Sequence, residues 1–431
     1  MNDSSRRLPQ GTWKLIAAAS IGNALEWFDL AVYGFVAPII ARQFFPGGDP
    51  MAGLLLAFGT FGLSYVARPI GAVWLGALAD RRGRKVALTW SIALMSVGTA
   101  VIVFTPTYQQ IGIFASLALV IARLLQGLSA GGEFGAATAM LVEHIPARRG
   151  FMGSWQVASQ GLSTVLASLF GILLASAGKG GEAAEWVWRM PFLFGLLIAP
   201  IGFYIRKHLP DDTRHTSGNE AAASNGLRRL VRTQKRSILL AIALMMGSTS
   251  ATYVIVYLPT YVQTALHASA FTGYSATLAA GILLTVIPPF VGFFSDRYGR
   301  LAAMLPSALV LCVGCVPLFL LLERFPVPSV VLAATVWIAL WKAAYFGGLP
   351  ATLSELFPQE HRATGLNVAY NIGVPLFGGM APFLLAAMVA RNVPAAPGLY
   401  LSLMAGVSLL SIVVLKSSIG GAAGAPAGRW A

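Results

Sequence analysis

Charge is what this chain lacks. Lys, Arg, Asp and Glu together supply 11% of its 431 residues, against 56% hydrophobic ones. A water-soluble protein of that length carries roughly a quarter of its residues as charges, so a soluble globular protein is excluded. Cysteine is scarce too, at two residues. Cys312 and Cys315 lie in an apolar run with no second pair, which reads as packing and not as a redox or metal motif. No nucleophile–base set, metal-ligand cluster or phosphate loop is visible, so neither enzymatic activity nor a cofactor or metal is expected. The apolar runs lack the period-two alternation of a membrane β-barrel. The first run is too long for a cleavable signal and carries two acids.

What is present is a succession of apolar runs of 18 residues or more, from end to end, with a mean hydropathy of +0.71. They predict an all-α polytopic membrane protein with about twelve spans. In the first half the spans are expected over Trp13–Ala41, Met51–Leu78, Val86–Thr105, Ile111–Val142, Phe151–Ala177 and Arg189–Leu209. The second half gives Ser237–Leu266, Phe271–Phe294, Leu301–Leu322, Pro328–Ser354, Gly365–Val389 and Leu399–Leu415. The organisation is therefore a six-helix half (1–209), a polar basic linker (210–236), a second six-helix half (237–416) and a tail (417–431) without heptads.

The net charge of +14 would suit nucleic acid, but its distribution does not. Most of the 30 Lys and Arg fall in alternate loops and at both termini, the positive-inside pattern. Both termini are accordingly expected in the cytoplasm and the protein in a bacterial inner membrane.

The chain also repeats itself. Gly76, Asp80, Arg81, Gly83 and Arg84 recur with the same spacing as Gly292, Asp296, Arg297, Gly299 and Arg300. A second echo follows each copy: Glu143 and Pro146 with Arg149, then Glu355 and Pro358 with Arg362. Two paired echoes in one order mean a duplicated architecture. Each Asp ends its own helix, where the dipole disfavours an anion, so it is better placed against another helix's N-terminus or a neighbouring Arg. Such turns describe a breakable clasp.

Ionisable groups at a span centre cost about 2.5–3.5 kcal/mol each on insertion scales and mark function unless pairing explains them. The first span holds Glu26 and Asp29, the second Arg68, the fourth Arg123 and Glu133, and the tenth Lys342. Structural pairing that locks the first, second and fourth helices is the plain alternative. Amides and phenols gather on helical faces as well: Asn23 near Glu26, Gln156 with Gln160, Asn367 with Asn371, and the stripe of Tyr253, Tyr257 and Tyr261 around Pro259. Each of these sets also reads as interhelical bonding or core. Gly127, Gly131, Gly132 and Gly135 suit close helix packing.

The Gly76–Lys85 turn and its second copy resemble the signature loops of the major facilitator superfamily of transporters. Gly22–Asp29, Arg68-Pro69-Ile70-Gly71, Arg123–Gly127 with Gly132-Glu133, and Gly153–Gln156 narrow the resemblance to its metabolite:proton symporters, which carry citrate, 2-oxoglutarate, shikimate, phthalate-type acids, proline and betaine. The Trp155–Gln160 and Val256–Tyr261 runs look most like the citrate and tricarballylate branch.

The resemblance implies proton-coupled uptake of a di- or tricarboxylate by a monomer in a lipid bilayer, with no nucleic-acid partner. Substrate ligands are then expected at Arg68, Arg123, Asn23, Gln156, Gln160, Tyr257, Tyr261 and Asn371; Lys342, which the family pattern does not cover, joins them as an intramembrane charge of open role. The proton carrier is expected among Asp29, Glu26 and Glu133. Asp80, Arg81 and Arg84, Asp296, Arg297 and Arg300, and the pairs Glu143/Arg149 and Glu355/Arg362 would form the clasp. Alternatives are a zwitterion or osmolyte symporter, whose osmosensing members carry a C-terminal coiled coil that this tail lacks, and anion exchange in place of symport. A drug antiporter lacks support in the fifth span, and a non-transporting receptor lacks a signalling domain.

Overall fold

The computed structural model describes residues 11–82, 84–131, 133–177, 186–196, 200 and 232–420. Among these, the regular structure is helical, with no strand. The first three spans are α1 (Thr12–Phe44), α2 (Pro50–Arg82) and α3 (Arg84–Phe104). The fourth is assembled from α4 (Tyr108–Ile111), α5 (Ile113–Ser129) and α6 (Glu133–His144). A 3₁₀ turn at Pro146–Arg148 leads into α7 (Arg149–Ala177). The second set comprises α8 (Lys235–Thr264), α9 (Ala270–Tyr298), α10 (Leu301–Arg324) and α11 (Pro328–Glu355). Then come a 3₁₀ turn at Gln359–His361, α12 (Arg362–Val374), a π turn at Pro375–Gly379, α13 (Ala381–Ala390) and α14 (Ala396–Gly420).

Nine helices among the described residues are long and apolar enough to cross a bilayer; two shorter apolar ones, Thr89–Phe104 and Ile113–Ser129, fall on the third and fourth expected spans. The sixth expected span, Arg189–Leu209, lies mostly outside the described residues, as do most of the linker and the tail. Two expectations are corrected. The run Ile111–Val142 is not one rod: the helix stops at Ser129 and restarts at Glu133, where consecutive glycines make continuation unfavourable. The run Gly365–Val389 is interrupted by the π turn, which begins at Pro375, a residue with no amide hydrogen for the helical ladder.

Neighbours decide which faces are buried. α8 is enclosed almost continuously from Leu244 to Val262, so it lies at the centre. Phe114, Phe290, Val313, Leu403 and Leu410 point outward and exposed, as side chains facing lipid must, since lipid is as apolar as they are. With no hydrophobic drive between helices in a bilayer, close backbone approach holds the sets together. α7 of the first set runs along α9 of the second for most of its length. Small residues make this seam. A Cβ on Gly150 or Gly292 would collide with the other's carbonyl, and one on Gly281 would sit 2.8 Å from the Val165 nitrogen.

The seam predicts that Gly281→Leu lowers the thermal stability of the purified protein, by about 1–3 kcal/mol for an overpacked contact. Gly76→Ala, whose Cβ would meet nothing within 4 Å, should leave the melting temperature unchanged in the same thermal-shift measurement.

Candidate functional site

Buried charges from α1, α2 and α5 converge near the middle of the bundle. Arg68 and Arg123 are 1% and 0% exposed. Burying an ion costs several kcal/mol unless a counter-ion and hydrogen bonds compensate, and each guanidinium has found both. Arg68 Nη2 donates to Glu26 Oε1 at 2.7 Å, and its head lies over the Tyr65 ring, 4.3 Å from the centroid. Arg123 donates through Nη1 to Gln126 Oε1 at 2.6 Å and through Nη2 to Ser64 Oγ at 3.3 Å. It stacks on Tyr33 at 4.2 Å and Phe61 at 5.2 Å, with Asp29 Oδ2 at 3.8 Å.

Gln126 ties this second group together. Its Nε2 donates to Asp29 Oδ2 and to Thr99 Oγ1, and the Thr99 hydroxyl donates to Asp29 Oδ1 at 3.3 Å. Asp29 is thus held from α3 and α5 together. Glu26 differs in kind, because its cation keeps two nitrogens, Nε and Nη1, without a hydrogen-bond acceptor.

The amides divide. Asn23 Nδ2 donates to the Gln156 carbonyl at 2.8 Å and to Ser159 Oγ at 2.7 Å, which binds α1 to α7. Gln156 keeps Oε1 and Nε2, and Gln160 keeps Oε1, buried without a partner. Asn371 Nδ2 donates to the Gly131 carbonyl at 2.7 Å, while Asn367 Oδ1 accepts from the Gly135 N–H at 2.8 Å. Both backbone groups belong to the break between α5 and α6, so α12 closes what the break leaves open. Phe134 stacks on Tyr370 beside them, centroids 3.8 Å apart. Tyr257 packs on Phe58 with its hydroxyl buried. The Tyr261 hydroxyl donates to Glu323 Oε1 at 3.0 Å. The structure places Asn371 beside Tyr370, a neighbour of Arg68 and Glu26, and against Gly131, which packs on the Arg68 backbone; Tyr261 is held by Glu323. Lys342 lies midway along α11, 1% exposed.

At one end of the bundle, the start of α1 meets the end of α6 through Thr12 and His144, and the basic turns gather there. Asp296 accepts from the N–H groups of Gly150 and Phe151 at 2.8 and 2.9 Å, the first turn of α7, where a helix dipole favours an anion. Arg300 donates to Asp296 and, at 3.2 Å, to Glu355. The expected pairing of Glu143 with Arg149 and Glu355 with Arg362 is corrected: partners are crossed. Arg362 donates to Glu143 Oε1 at 2.8 Å, and Arg149 lies 3.8 Å from Glu355. Each half's glutamate reaches the other half's arginine because the two echoes face one another across the seam. Arg297 stands apart, over the Tyr298 ring. The side chains of Asp80, Arg81, Arg84 and Glu133 lie outside the described residues.

On the far side of the charges the halves meet through aromatics. Tyr274 donates to the Phe35 carbonyl at 2.9 Å, and Tyr253 donates to the Tyr65 hydroxyl. Two six-helix sets thus enclose a core of paired ions between two closures. The sequence profile of the Major Facilitator Superfamily matches residues 19–382 and 240–420. The chain belongs to the major facilitator superfamily.

Within that superfamily it is 34% identical over 403 residues to a citrate-proton symporter of Klebsiella pneumoniae, covering 93% of this chain and 91% of the relative. It is 34% identical to a proline/betaine transporter of Escherichia coli, covering 94% and 83%, and 32% identical to that organism's alpha-ketoglutarate permease, covering 96% and 95%. Among solved structures, the partially occluded inward-open xylose transporter XylE of E. coli superposes with a TM-score of 0.75 at 17% identity, covering 94% of this chain and 98% of that one. This likeness shows the major facilitator fold.

Residues that the sequence reading did not single out are Tyr65, Ser64, Thr99 and Glu323. They are ordinary polar or aromatic positions, and only the paired arginine or tyrosine gives them meaning. Tyr65 did carry a signal, one turn before Arg68 on the same helical face.

Two outcomes follow from this geometry. Glu143→Arg should lower the melting temperature by the equivalent of about 1–3 kcal/mol, and Arg362→Glu should restore it, whereas Arg149→Glu should not. Asn371→Leu should destabilise the protein by a similar amount, about 1–3 kcal/mol for an orphaned backbone group, yet leave the affinity for a transported ligand within about threefold, as measured by equilibrium binding.

Proposed function

We propose that this chain is a proton-coupled carrier that takes up an organic anion of the di- or tricarboxylate class by alternating access. The observation that carries the reading is the half-engaged guanidinium of Arg68. An arginine grips a carboxylate best through two parallel N–H groups. Both bidentate edges of a guanidinium include Nη2, and Glu26 holds that atom. Nη2 has one hydrogen for each edge, so Glu26 takes one edge, the other stays open to a substrate carboxylate, and a carboxylate that claims both displaces Glu26.

Glu26, parted from its cation, takes up a proton, because a half-buried carboxylate that has lost its counter-charge is costlier than a neutral one. Substrate and proton then load together, and after the far side opens they leave together. Asp29 is the second candidate carrier, bound by Gln126 and Thr99 and facing Arg123. Arg123 supplies a second positive centre, and Gln156 and Gln160 offer unpaired amides to a hydroxyl or carboxylate.

The rival reading, a betaine or proline carrier, draws on the proline/betaine relatives and on the aromatic cluster of Trp27, Phe61, Tyr65 and Tyr253. Aromatic faces bind quaternary ammonium groups. Here, however, Arg68 covers Tyr65 and Arg123 covers Tyr33 and Phe61, so an incoming cation would meet two others. An anion fits that field better. The crossed Glu143–Arg362 and Arg149–Glu355 pairs and the Asp296 contacts would part when the site opens at their end, which the positive-inside pattern supports as the cytoplasmic one.

The test uses purified protein in liposomes with a pH-sensitive dye inside. Citrate, tricarballylate and 2-oxoglutarate added outside should acidify the lumen, and betaine should not. Glu26→Gln should abolish acidification while exchange of labelled carboxylate persists. Acidification by betaine alone would move the protein to the zwitterion carriers, and proton flux surviving in Glu26→Gln would remove the coupling role of that residue.

A further inference from the structure

We propose that Lys342 is the anion ligand of the second six-helix set and selects substrates that carry more than one carboxylate; the proposal rests on the anion reading above. Lys342 differs from the other buried bases: Arg189, which also lacks an acid among the described residues, at least donates to the Thr105 carbonyl. Arg68 and Arg123 each have an acid beside them. The Lys342 ammonium has no hydrogen-bond acceptor and no carboxylate within 4 Å among the described residues; its recorded partner is the face of Phe346, 5.3 Å from Nζ. A bare ammonium, 1% exposed, is a costly thing to keep in a membrane helix. A packing role would be served better by Met or Leu, so a ligand's charge is what justifies it.

The placement agrees. α7 and α11 run in opposite directions and touch where a Cβ on Gly153 would meet Pro350 at 3.0 Å. Seven residues beyond Gly153, about 10.5 Å along α7 at 1.5 Å per residue, stands Gln160; eight residues before Pro350, about 12 Å along α11, stands Lys342. The two side chains originate at one level across the same helix pair. On α11, Pro350 faces α7, and Tyr345 faces α8 through its hydroxyl bond to the Leu244 carbonyl. At about 100° per residue Lys342 projects between those two directions, toward the interior and not toward lipid.

The partnerless atoms at this register are Gln160 Oε1 on α7 and Ser248 Oγ on α8, with the Gln156 amide one turn nearer the Gly153 contact. Donor and acceptor capacity is thus unmatched on both sides of one helix contact, as in a site built for a ligand bearing both an anionic group and a hydroxyl or second carboxylate. Arg68 would take one carboxylate from the first set and Lys342 another from the second. A substrate with two anionic ends then bridges the halves, and a zwitterion or a monoanion leaves Lys342 unanswered.

The experiment compares wild type with Lys342→Met in equilibrium binding and thermal shift, using tricarballylate, 2-oxoglutarate and shikimate, which carry three, two and one carboxylates. Wild type should bind all three. The variant should lose at least about tenfold in affinity for tricarballylate and 2-oxoglutarate, as for a lost charged hydrogen bond, and less than about threefold for shikimate. Its ligand-free melting temperature should equal or exceed that of wild type, because an uncompensated buried charge has been removed. Unchanged affinity for the di- and tricarboxylates, or an equal loss for all three ligands, overturns the proposal while leaving the anion reading intact. Wild type that binds betaine and none of the three acids overturns the anion reading itself, and this proposal with it.

Discussion

An ion placed where no water reaches must find its counter-charge in the fold, and the architecture of the first helix set follows from that constraint. Glu26 on α1 answers Arg68 on α2; Asp29 on α1 faces Arg123 on α5, with Gln126 and Thr99 filling the remaining hydrogen-bond positions. These links hold α1, α2, α3 and α5 in one register, a precision that apolar packing in lipid does not supply by itself. Among the described residues, the second set shows no comparable network around Lys342.

The two closures differ in chemistry. At the basic end the contacts are charged or run to backbone N–H groups, and the parted groups would be rehydrated when the end opens. The aromatic end has less such compensation: water can replace the Tyr274–Phe35 hydrogen bond, but separating the Phe35 and Tyr274 rings, or Phe58 from Tyr257, exposes apolar surface. The free energies of the two opened forms therefore respond to different variables. Salt screens the first, whereas temperature acts chiefly on the second. The Asn367 and Asn371 bonds to the α5–α6 break add to the basic end a contact that ionic strength leaves largely alone.

Much of this was legible in the sequence. Hydropathy located the spans, the spaced Gly-Asp-Arg-Gly-Arg repeat exposed the duplication, and the rarity of charge made each intramembrane acid or base conspicuous. The turn chemistry also anticipated Asp296, which could face another helix's N-terminus or a neighbouring Arg and meets both. What sequence could not supply was partner choice. Glu143 is six residues from Arg149 and 219 from Arg362, yet it pairs with the distant one, since nearness along the chain says nothing about which surface a turn faces. Asn371 resembled a ligand because an amide in a membrane helix is conspicuous; its partner is a backbone carbonyl exposed by a helix break that hydropathy smooths over. For Tyr261, too, the partner, Glu323, is 62 residues away and invisible to the stripe.

The crossed pairs have one more meaning. Glu143 with Arg362 and Arg149 with Glu355 obey the rule of an isologous interface, in which patch i of one copy meets patch j of the other and the reverse. A dimer of two identical six-helix units would form these same bonds twice about its axis. The seam of this protein thus follows the pairing rule of a two-fold interface inside a single polypeptide: the halves differ in their buried charges, yet the surface through which they meet treats them as twins.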